Sequence, residues 1–394
     1  MEHEYSAVLL RYGEIGIKSK QTRRRMTDLL VKHIRSALRE KQVKFSKVRK
    51  EYGRIFVESK DVDNAAKVAS QVFGIVSASP VVVLPAQLET IIETGQAMAS
   101  NSFEKGRSFA VGARRIGTHE FSSQDIREEL GARILDGLPD LELRVDLTSP
   151  EQSIYVEVRD ESAYLFTDTI QGVGGMPTGS QGKVVCALSS GFDSPIAAYR
   201  VMKRGCIPVF VNFDNAPYAD DYCSELVVKQ AQRLADFIHN FDVKLYIIPH
   251  GADLKEAVEH GPPKMTCVFC KRNMLRMARE IAIREDADAI VTGEIIGEQA
   301  SQTTRNLRTI NTAVCDFPIL RPCAGDDKNE IEAMAQKIGT YEFAYEGLSC
   351  CSLAPKHPVT RVQPDEVIAA EQKMGLGVLV QQVESARIMT LRTG

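Results

Sequence analysis

Apolar positions change their grain along the chain. Between residues 184 and 320, short, mainly apolar runs recur at 184–188, 207–213, 243–248, 288–292 and 316–320. Short runs bounded by polar turns read as buried strands. Stretches at 195–204, 222–239, 271–285 and 328–338 carry a helical pattern instead. This alternation predicts an α/β domain built on a doubly wound parallel sheet, whose ligands bind beyond the carboxyl ends of the strands. The opening of the chain differs. A strand at 5–11, a helix at 22–39 with Met26, Leu29, Leu30, Ile34, Ala37 and Leu38 on one face, a strand at 53–58 and a helix at 62–73 predict a small α+β module. A strand and basic corner follow at 107–123, then a helix at roughly 123–137 capped by Ser122 or Ser123 and a strand at 153–159. Gly and Pro crowd residues 171–183 and no periodicity survives there, so this stretch reads as a linker. Gly172-x-Gly174 has no strand leading into it and no helix opening from it, which disfavours a dinucleotide loop.

A length of 394 residues suits two or three domains. With 44% apolar and 26% charged residues, the chain has the balance of a soluble globular protein. No apolar run is long enough to span a bilayer, and Met1-Glu2-His3-Glu4 has no basic signal-peptide region, so a cytoplasmic location is expected. Nine cysteines in such a setting are expected as ligands or catalysts rather than staples. The net charge of −3 hides an asymmetry: residues 1–60 hold 16 Lys and Arg against 7 Asp and Glu, whereas the remainder holds 33 against 45. A basic N-terminal module on an acidic body is an electrostatic footprint for a phosphate polymer.

The candidate chemistry begins at Ser189-Ser190-Gly191-Phe192-Asp193-Ser194, after the run 184–188 and before a helix. Strand, hydroxyl- and glycine-rich turn, helix start is an arrangement that aims backbone N–H groups at a phosphate. The Ser-x-Gly-x-Asp-Ser pattern resembles the PP-loop of the ATP pyrophosphatases, which cleave ATP to AMP and pyrophosphate; no Walker A sequence occurs.

A wider resemblance rests on Arg11-Tyr-Gly-Glu-Ile-Gly-Ile-Lys18, Phe73-Gly74-Ile75, the 107–123 segment, the PP-loop, Gly293-Glu-Ile-Ile-Gly-Glu-Gln-Ala-Ser-Gln-Thr303, and Arg321-Pro322 followed by Asp327-Lys328. From residue 5 to about 360 the chain resembles ThiI, the tRNA 4-thiouridine synthetase family. The resemblance implies an N-terminal ferredoxin-like domain (1–59), a THUMP RNA-binding domain (60–166), a linker (167–182) and a PP-loop catalytic domain (183–394). It implies a reaction in which ATP adenylates the C4 oxygen of uridine 8 in tRNA and sulfur then replaces that oxygen. Some members add a C-terminal rhodanese domain, which is not expected here. Cys267-Val-Phe-Cys270 and Cys350-Cys351 resemble the short archaeal-type form, in which three cysteines hold an iron–sulfur cluster. Aligned with the family's cysteine segment, Cys351 is the better third ligand and Cys350 the runner-up.

Carried over residue by residue, the family's ATP contacts fall on Ala187, Leu188, Ser189, Ser190, Gly191, Ser194, Asn212, Phe213, Lys271, Gly293 and Gln302. Asp193 is the candidate Mg²⁺ ligand, since a hard cation takes carboxylate and phosphate oxygens, with a helix N-cap as its plainer reading. Lys271 stands where Arg is common and keeps the charge without the bidentate fork; it also reads as an ordinary surface lysine. Thiolates suit iron–sulfur clusters, and three of them leave one iron open for hydrosulfide. A zinc site completed by Cys350 or His357, or a redox pair of Cys267 and Cys270 with a lowered thiol pKa, are the alternatives. Cys186, Cys206, Cys223, Cys315 and Cys323 lie in or beside apolar runs and read as small buried hydrophobes. For tRNA the candidates are Lys18, Lys20, Arg23, Arg24, Arg25, Arg114, Arg115 and His119, each also readable as a solvated charge. Sulfide or a cysteine desulfurase is the expected sulfur donor, and a homodimer is expected by analogy. Two other functions remain open: a PP-loop thiolase acting at another nucleoside, and a tRNA-binding protein whose catalytic loop has degenerated, since Ser190 replaces a usual glycine.

Overall fold

In the computed structural model, which describes residues 5–344, 351–374 and 381–391, the chain divides at Gly175 into two units. The first contains β1 (Ala7–Tyr12), α1 (Lys20–Glu40), β2 (Lys47–Glu51), β3 (Arg54–Glu58), α2 (Val62–Ser70), β4 (Ile75–Pro85) and α3 (Leu88–Ser102). It continues through β5 (Ser108–Ile116), α4 (Ser123–Gly137), β6 (Arg144–Val145), β7 (Gln152–Arg159), β8 (Ser162–Phe166) and β9 (Ile170–Gln171). Its strands run in the order β2-β3-β1-β4-β8-β7-β5-β6, with β9 also on β4. The central strand β4 pairs antiparallel with β1 and β9 along its first part and with β8 over Val82–Pro85. One backbone therefore serves both α+β halves. Ile91, Phe109, Leu130, Ile134, Ile154 and Val156 fill the core beneath α3 and α4.

Local chemistry accounts for the helix ends. Ser122 caps α4 through a reciprocal capping box with Asp125. Helix α1 begins at Lys20, earlier than the apolar pattern showed, because Ser19 accepts from Thr22 N. Arg23, Arg24 and Arg25 consequently sit about a turn inside the helix. The linker reading of 167–182 meets a different structure at 170–174. There Gly172 N donates to Val76 O and Gly174 N to Ile75 O, both at 2.8 Å. A Cβ at Gly172 would stand 2.2 Å from Ile75 O, so this glycine marks a close backbone approach.

The second unit comprises β10 (Lys183–Ala187), α5 (Asp193–Lys203), β11 (Ile207–Asp214), α6 (Asp221–Ala235), β12 (Val243–Pro249), α7 (Gly251–His260) and α8 (Thr266–Arg284). After these come β13 (Ala289–Val291), α9 (Thr304–Asn311), β14 (Ile319–Leu320), α10 (Lys328–Ile338), α11 (Pro364–Met374), α12 (Gln381–Glu384) and β15 (Arg387–Leu391). The sheet order is β14-β13-β10-β11-β12-β15, parallel except for the antiparallel edge strand β15. This is the doubly wound sheet that the alternation of runs predicts. The neighbours of β10 are β11 on one side and β13 on the other, so the chain reverses its direction of travel across the sheet there. A crevice at such a switch point is where ligands of open α/β sheets bind.

Candidate active site

Three strand ends converge on one cavity of about 320 Å³. Ala187, Leu188, Ser189, Ser190, Asp193 and Ser194 line it from the β10–α5 turn, Asn212 and Phe213 from β11, Lys271 from α8, and Thr292, Gly293, Glu294 and Gln302 from the segment after β13. Ten of the eleven candidate ATP contacts, together with Asp193, are thus brought to one wall; Gly191 lies in the same turn but outside the lining.

The turn is held by its own hydroxyls. Ser194 Oγ accepts from Ser189 N at 2.8 Å and lies 3.0 Å from Ser189 Oγ, so it braces the loop from inside. Gln230 Nε2 donates to Gly191 O at 3.2 Å and to Phe343 O at 3.1 Å, tying the turn to α6. Ser190 is buried and is not among the positive-φ residues, so a side chain there is compatible with the loop. That removes the strain argument for a degenerate turn. Gly293 is the tight contact: a Cβ there would meet Ser194 N at 2.6 Å and Ser194 Cα at 2.7 Å.

Asp193 is the first residue of α5, whose N-cap is Phe192, so Asp193 does not cap the helix. Burial first, and Glu298 next, push its carboxyl up to about 6 against the pull of Lys328 and Lys271. The native pKa lies above the unfolded value of about 3.9. Its stability contribution is therefore full below pH ~4 and lost as pH rises through 6. Asp193→Asn is expected to melt higher than the wild type at pH 7.5, by roughly 2–4 °C if about 1 kcal/mol is recovered. The gap closes by pH 4, and thermal melts across pH 4–8 check both.

Gly293-Glu294 stands at a strand end and Arg321 in the Arg321-Pro322 motif, but pattern reading does not foresee the pairing of Glu294 with Thr292 and Arg321, because Arg321 is remote in sequence. Glu294 Oε2 accepts from Arg321 Nε at 2.9 Å and from the Thr292 hydroxyl, and Lys271 Nζ stands 3.5 Å from Oε1. Burial drives this carboxyl up, but Lys271, Arg321 and Thr292 more than offset it, so Glu294 stays below its ordinary range. Lys271 and Arg321 thus offset the charge of this carboxylate beside the cavity.

Cys267 and Cys270 lie one turn apart at the start of α8, and both feel the charge of Cys351. Cys350 lies outside the described residues. Burial pushes the Cys267 and Cys270 thiols up, so the lowered pKa expected of a redox pair is not found, and neither is in a disulfide. Three soft thiols within electrostatic reach fit an iron–sulfur group by donor chemistry, although among the described residues no three His, Cys, Asp or Glu side chains are drawn into a metal-holding group. His250, buried and unforeseen from sequence, stands 3.4 Å by Nε2 from Cys270 Sγ and 3.2 Å by Nδ1 from Asp253 Oδ2. Of the other cysteines, Cys186, Cys223 and Cys323 are buried as expected, whereas Cys206 is half-buried and Cys315 exposed.

The candidate RNA residues fall on two places in the first unit. Lys18, Lys20, Arg24 and Arg25 are exposed at the start of α1, where Arg23 lies over the Tyr52 ring at 5.4 Å. Arg114 and Arg115 end β5, and Arg115 Nη1 reaches His119 Nδ1 at 3.5 Å. His119 Nε2 is 2.6 Å from Asp160 O, which fixes the corner. Behind it, Glu157 takes Arg54 (3.0 Å) and Arg159 (2.5 Å). Burial first, then nearby Arg54, Arg114 and Arg159, hold Arg11 at about 10 in spite of Glu157. Cations outnumber carboxylates on this face.

The second unit matches the family model described as thiamine biosynthesis protein (ThiI) over residues 179–376. The ThiI ferredoxin-like domain matches 7–79 and the THUMP domain 85–168. A probable tRNA sulfurtransferase of Methanosarcina acetivorans is 36% identical over 393 residues, covering 99% of this chain and 95% of that protein. Another, of Moorella thermoacetica, is 36% identical with 98% of each chain covered. A solved 4-thiouridine synthetase–RNA complex with bound ATP aligns with a TM-score of 0.86 at 31% identity, over 99% of this chain and 100% of that one. With a model spanning half its length and relatives matched nearly end to end, the chain belongs to the ThiI family.

Proposed function

We propose that this protein is an ATP-dependent tRNA sulfurtransferase that adenylates the C4 oxygen of uridine 8 and replaces it with sulfur, giving 4-thiouridine. The observation that carries the reading is the convergence of the PP-loop, Asn212-Phe213 and Gly293-Glu294 on one cavity at the sheet's switch point. Relatives named tRNA sulfurtransferases and the ATP-bound 4-thiouridine synthetase support it.

A uracil oxygen is a poor leaving group, and adenylation turns it into part of AMP. The loop amides with the Ser189 and Ser190 hydroxyls face the departing pyrophosphate, and Lys271 adds positive charge beside the site of attack. Asp193 would hold Mg²⁺, which would screen the triphosphate. Phe213 packs the base, and the basic faces of the first unit hold tRNA by its phosphates. Cys267, Cys270 and Cys351 would hold an iron–sulfur cluster, which would bring hydrosulfide to the activated base. Sulfide or a cysteine desulfurase supplies the sulfur, the reaction runs in the cytoplasm, and the working form is a homodimer.

Purified enzyme given ATP, Mg²⁺, tRNA and sulfide under anaerobic conditions is expected to release AMP and pyrophosphate only when tRNA is present. Nucleoside mass spectrometry should then show 4-thiouridine; another thionucleoside would move the target, and no AMP at all would end the proposal. Cys267→Ala is expected to lose iron and visible colour, and with them thiolation, while keeping tRNA-dependent AMP release. A colourless wild type with full activity would remove the cluster.

A further inference from the structure

We infer that Asn306 is a positioning residue for the sulfur step: its side-chain amide holds the segment that carries Cys351 in place beside the nucleotide wall. The inference rests on the sulfurtransferase reading above. Among the described residues, the chain over 351–363 contains no helix or strand. A segment without a ladder of its own stands where its other hydrogen bonds put it. Here those bonds fall into two groups. Next to the thiol, Ser352 N and Oγ both donate to Tyr218 O, at 2.9 and 3.1 Å. Tyr218 belongs to the turn after β11, whose Asn215 and Ala219 line the cavity.

At the far end the grip comes from α9 and its cap. Thr303 Oγ1 donates to Thr360 O at 2.7 Å and Thr309 Oγ1 to Val362 O at 2.6 Å. Asn306, between them and 0% exposed, does more. Its Nδ2 donates to Val359 O and to Ala300 O, both at 2.8 Å, and its Oδ1 accepts from Val362 N at 3.1 Å. Backbone carbonyls only accept and a backbone N–H only donates, so these partners fix the orientation of the amide. Both amide hydrogens and the oxygen are engaged by backbone, so Asn306 acts through the segments it joins rather than on a ligand. Ala300 leads into Gln302 on the cavity wall. Val359 N donates in turn to Lys264 O at 3.0 Å, just ahead of α8 and Cys267. A chain of hydrogen bonds thus runs from the nucleotide wall through Asn306 and Val359 to the helix that carries the other two thiols. An apolar residue at 306 would fill the space but leave buried backbone groups unmatched, and the segment would shift to satisfy them. The activated base stands at the nucleotide wall and sulfur comes from the thiol side, so a shift of about 1 Å between them is enough to slow transfer.

The full chain tests this with Asn306→Leu, Thr303→Ala and Thr303→Ser. The leucine deletes all three amide bonds, the alanine deletes the hydroxyl bond to Thr360 O, and the serine keeps it. In anaerobic reactions with ATP, Mg²⁺, tRNA and sulfide, Asn306→Leu is expected to make roughly 10-fold less thionucleoside per pyrophosphate released, because water takes the activated base instead. Thr303→Ala is expected to fall part of the way and Thr303→Ser to match the wild type. The second readout needs no turnover. Dibromobimane bridges two neighbouring thiols, and peptide mass spectrometry of the chelator-treated chain counts the bridges. Those from Cys351 to Cys267 or Cys270 are expected to become scarce in Asn306→Leu, while the Cys267–Cys270 bridge, which lies within α8, stays as in the wild type. A fold loosened throughout would change both kinds of bridge and overturn the assignment. So would an unchanged ratio of thionucleoside to pyrophosphate, or unchanged bridging by Cys351. Should Asn306→Leu fail to fold, the two Thr303 variants decide by the same measures. If the wild type thiolates tRNA and the variants match it, this inference alone falls; if the wild type makes no thionucleoside, the sulfurtransferase reading falls and takes this one with it.

Discussion

Replacing Gly293 by alanine is expected to slow tRNA-dependent AMP release by roughly 100-fold, the size of effect that a 1 Å displacement of reacting groups can produce. The added methyl carbon would sit 2.6 Å from Ser194 N, 2.7 Å from Ser194 Cα and 2.9 Å from Asp193 C. All three are backbone atoms at the start of α5, so no side chain can swing aside. The segment after β13 and the PP-loop must part, which moves Asp193 and the loop amides away from the strand ends proposed to bind the rest of the nucleotide. Gly325→Ala is the control, since a Cβ there meets nothing within 4 Å. A Gly293→Ala enzyme with an unchanged rate would show that this close approach has no part in positioning the loop.

The largest stability effect is expected at Glu371, which is 4% exposed on α11. Its carboxylate takes both ends of Arg272, at 2.8 and 2.9 Å, and both Nη atoms of Arg276, at 2.9 and 2.7 Å. Arg272 is itself 1% exposed and also donates to Thr309 O and Thr312 Oγ1, both at 2.6 Å. This one guanidinium thus joins α8 to α9 and α11. Glu371→Ala strands a buried cation, which costs about 3–5 kcal/mol, or roughly 6–20 °C of melting temperature for a unit of this size. Burial raises the Glu371 carboxyl, but Arg272 and Arg276 prevail and hold it below its usual range. The pair's contribution is accordingly present above the unfolded pKa of about 4.3 and lost as pH falls through the lower native value. Arg272→Met with Glu371→Leu should recover most of the loss, because well-packed apolar pairs often replace buried ion pairs without cost. Melting curves of the single and double variants decide, and a Glu371→Ala protein as stable as the wild type would refute the account.

The parts of the fold that announce themselves in sequence are those made by local rules. Runs such as Val184–Leu188 and Val209–Val211 are apolar throughout because both faces of a parallel strand are buried. The PP-loop follows from the turn chemistry between β10 and α5. What escapes notice depends on distant partners. Strand β15 is a short segment that becomes a strand only by pairing with β12, nearly 150 positions earlier, as Val243 opposite Leu391 shows. Strand β4 has Pro80 in its middle and Pro85 at its end, which breaks the usual strand signature. Glu294 with Arg321, and His250 with Cys270, are pairs that chain order keeps apart. The glycines of 172–175 look like loose chain because glycine reads alike whether it gives freedom or permits contact.

The uninterrupted run of β4 through both halves of the first sheet has a mechanical consequence. A hinge needs a place where the backbone can turn freely, and hydrogen bonding to β1, β9 and β8 along β4 leaves none between the halves. The basic turn of α1 and the Arg115–His119 corner are thereby mounted on a single stiff frame, like the jaws of a fixed gauge. An RNA held by both, as proposed, would be measured against a set span rather than embraced by moving parts.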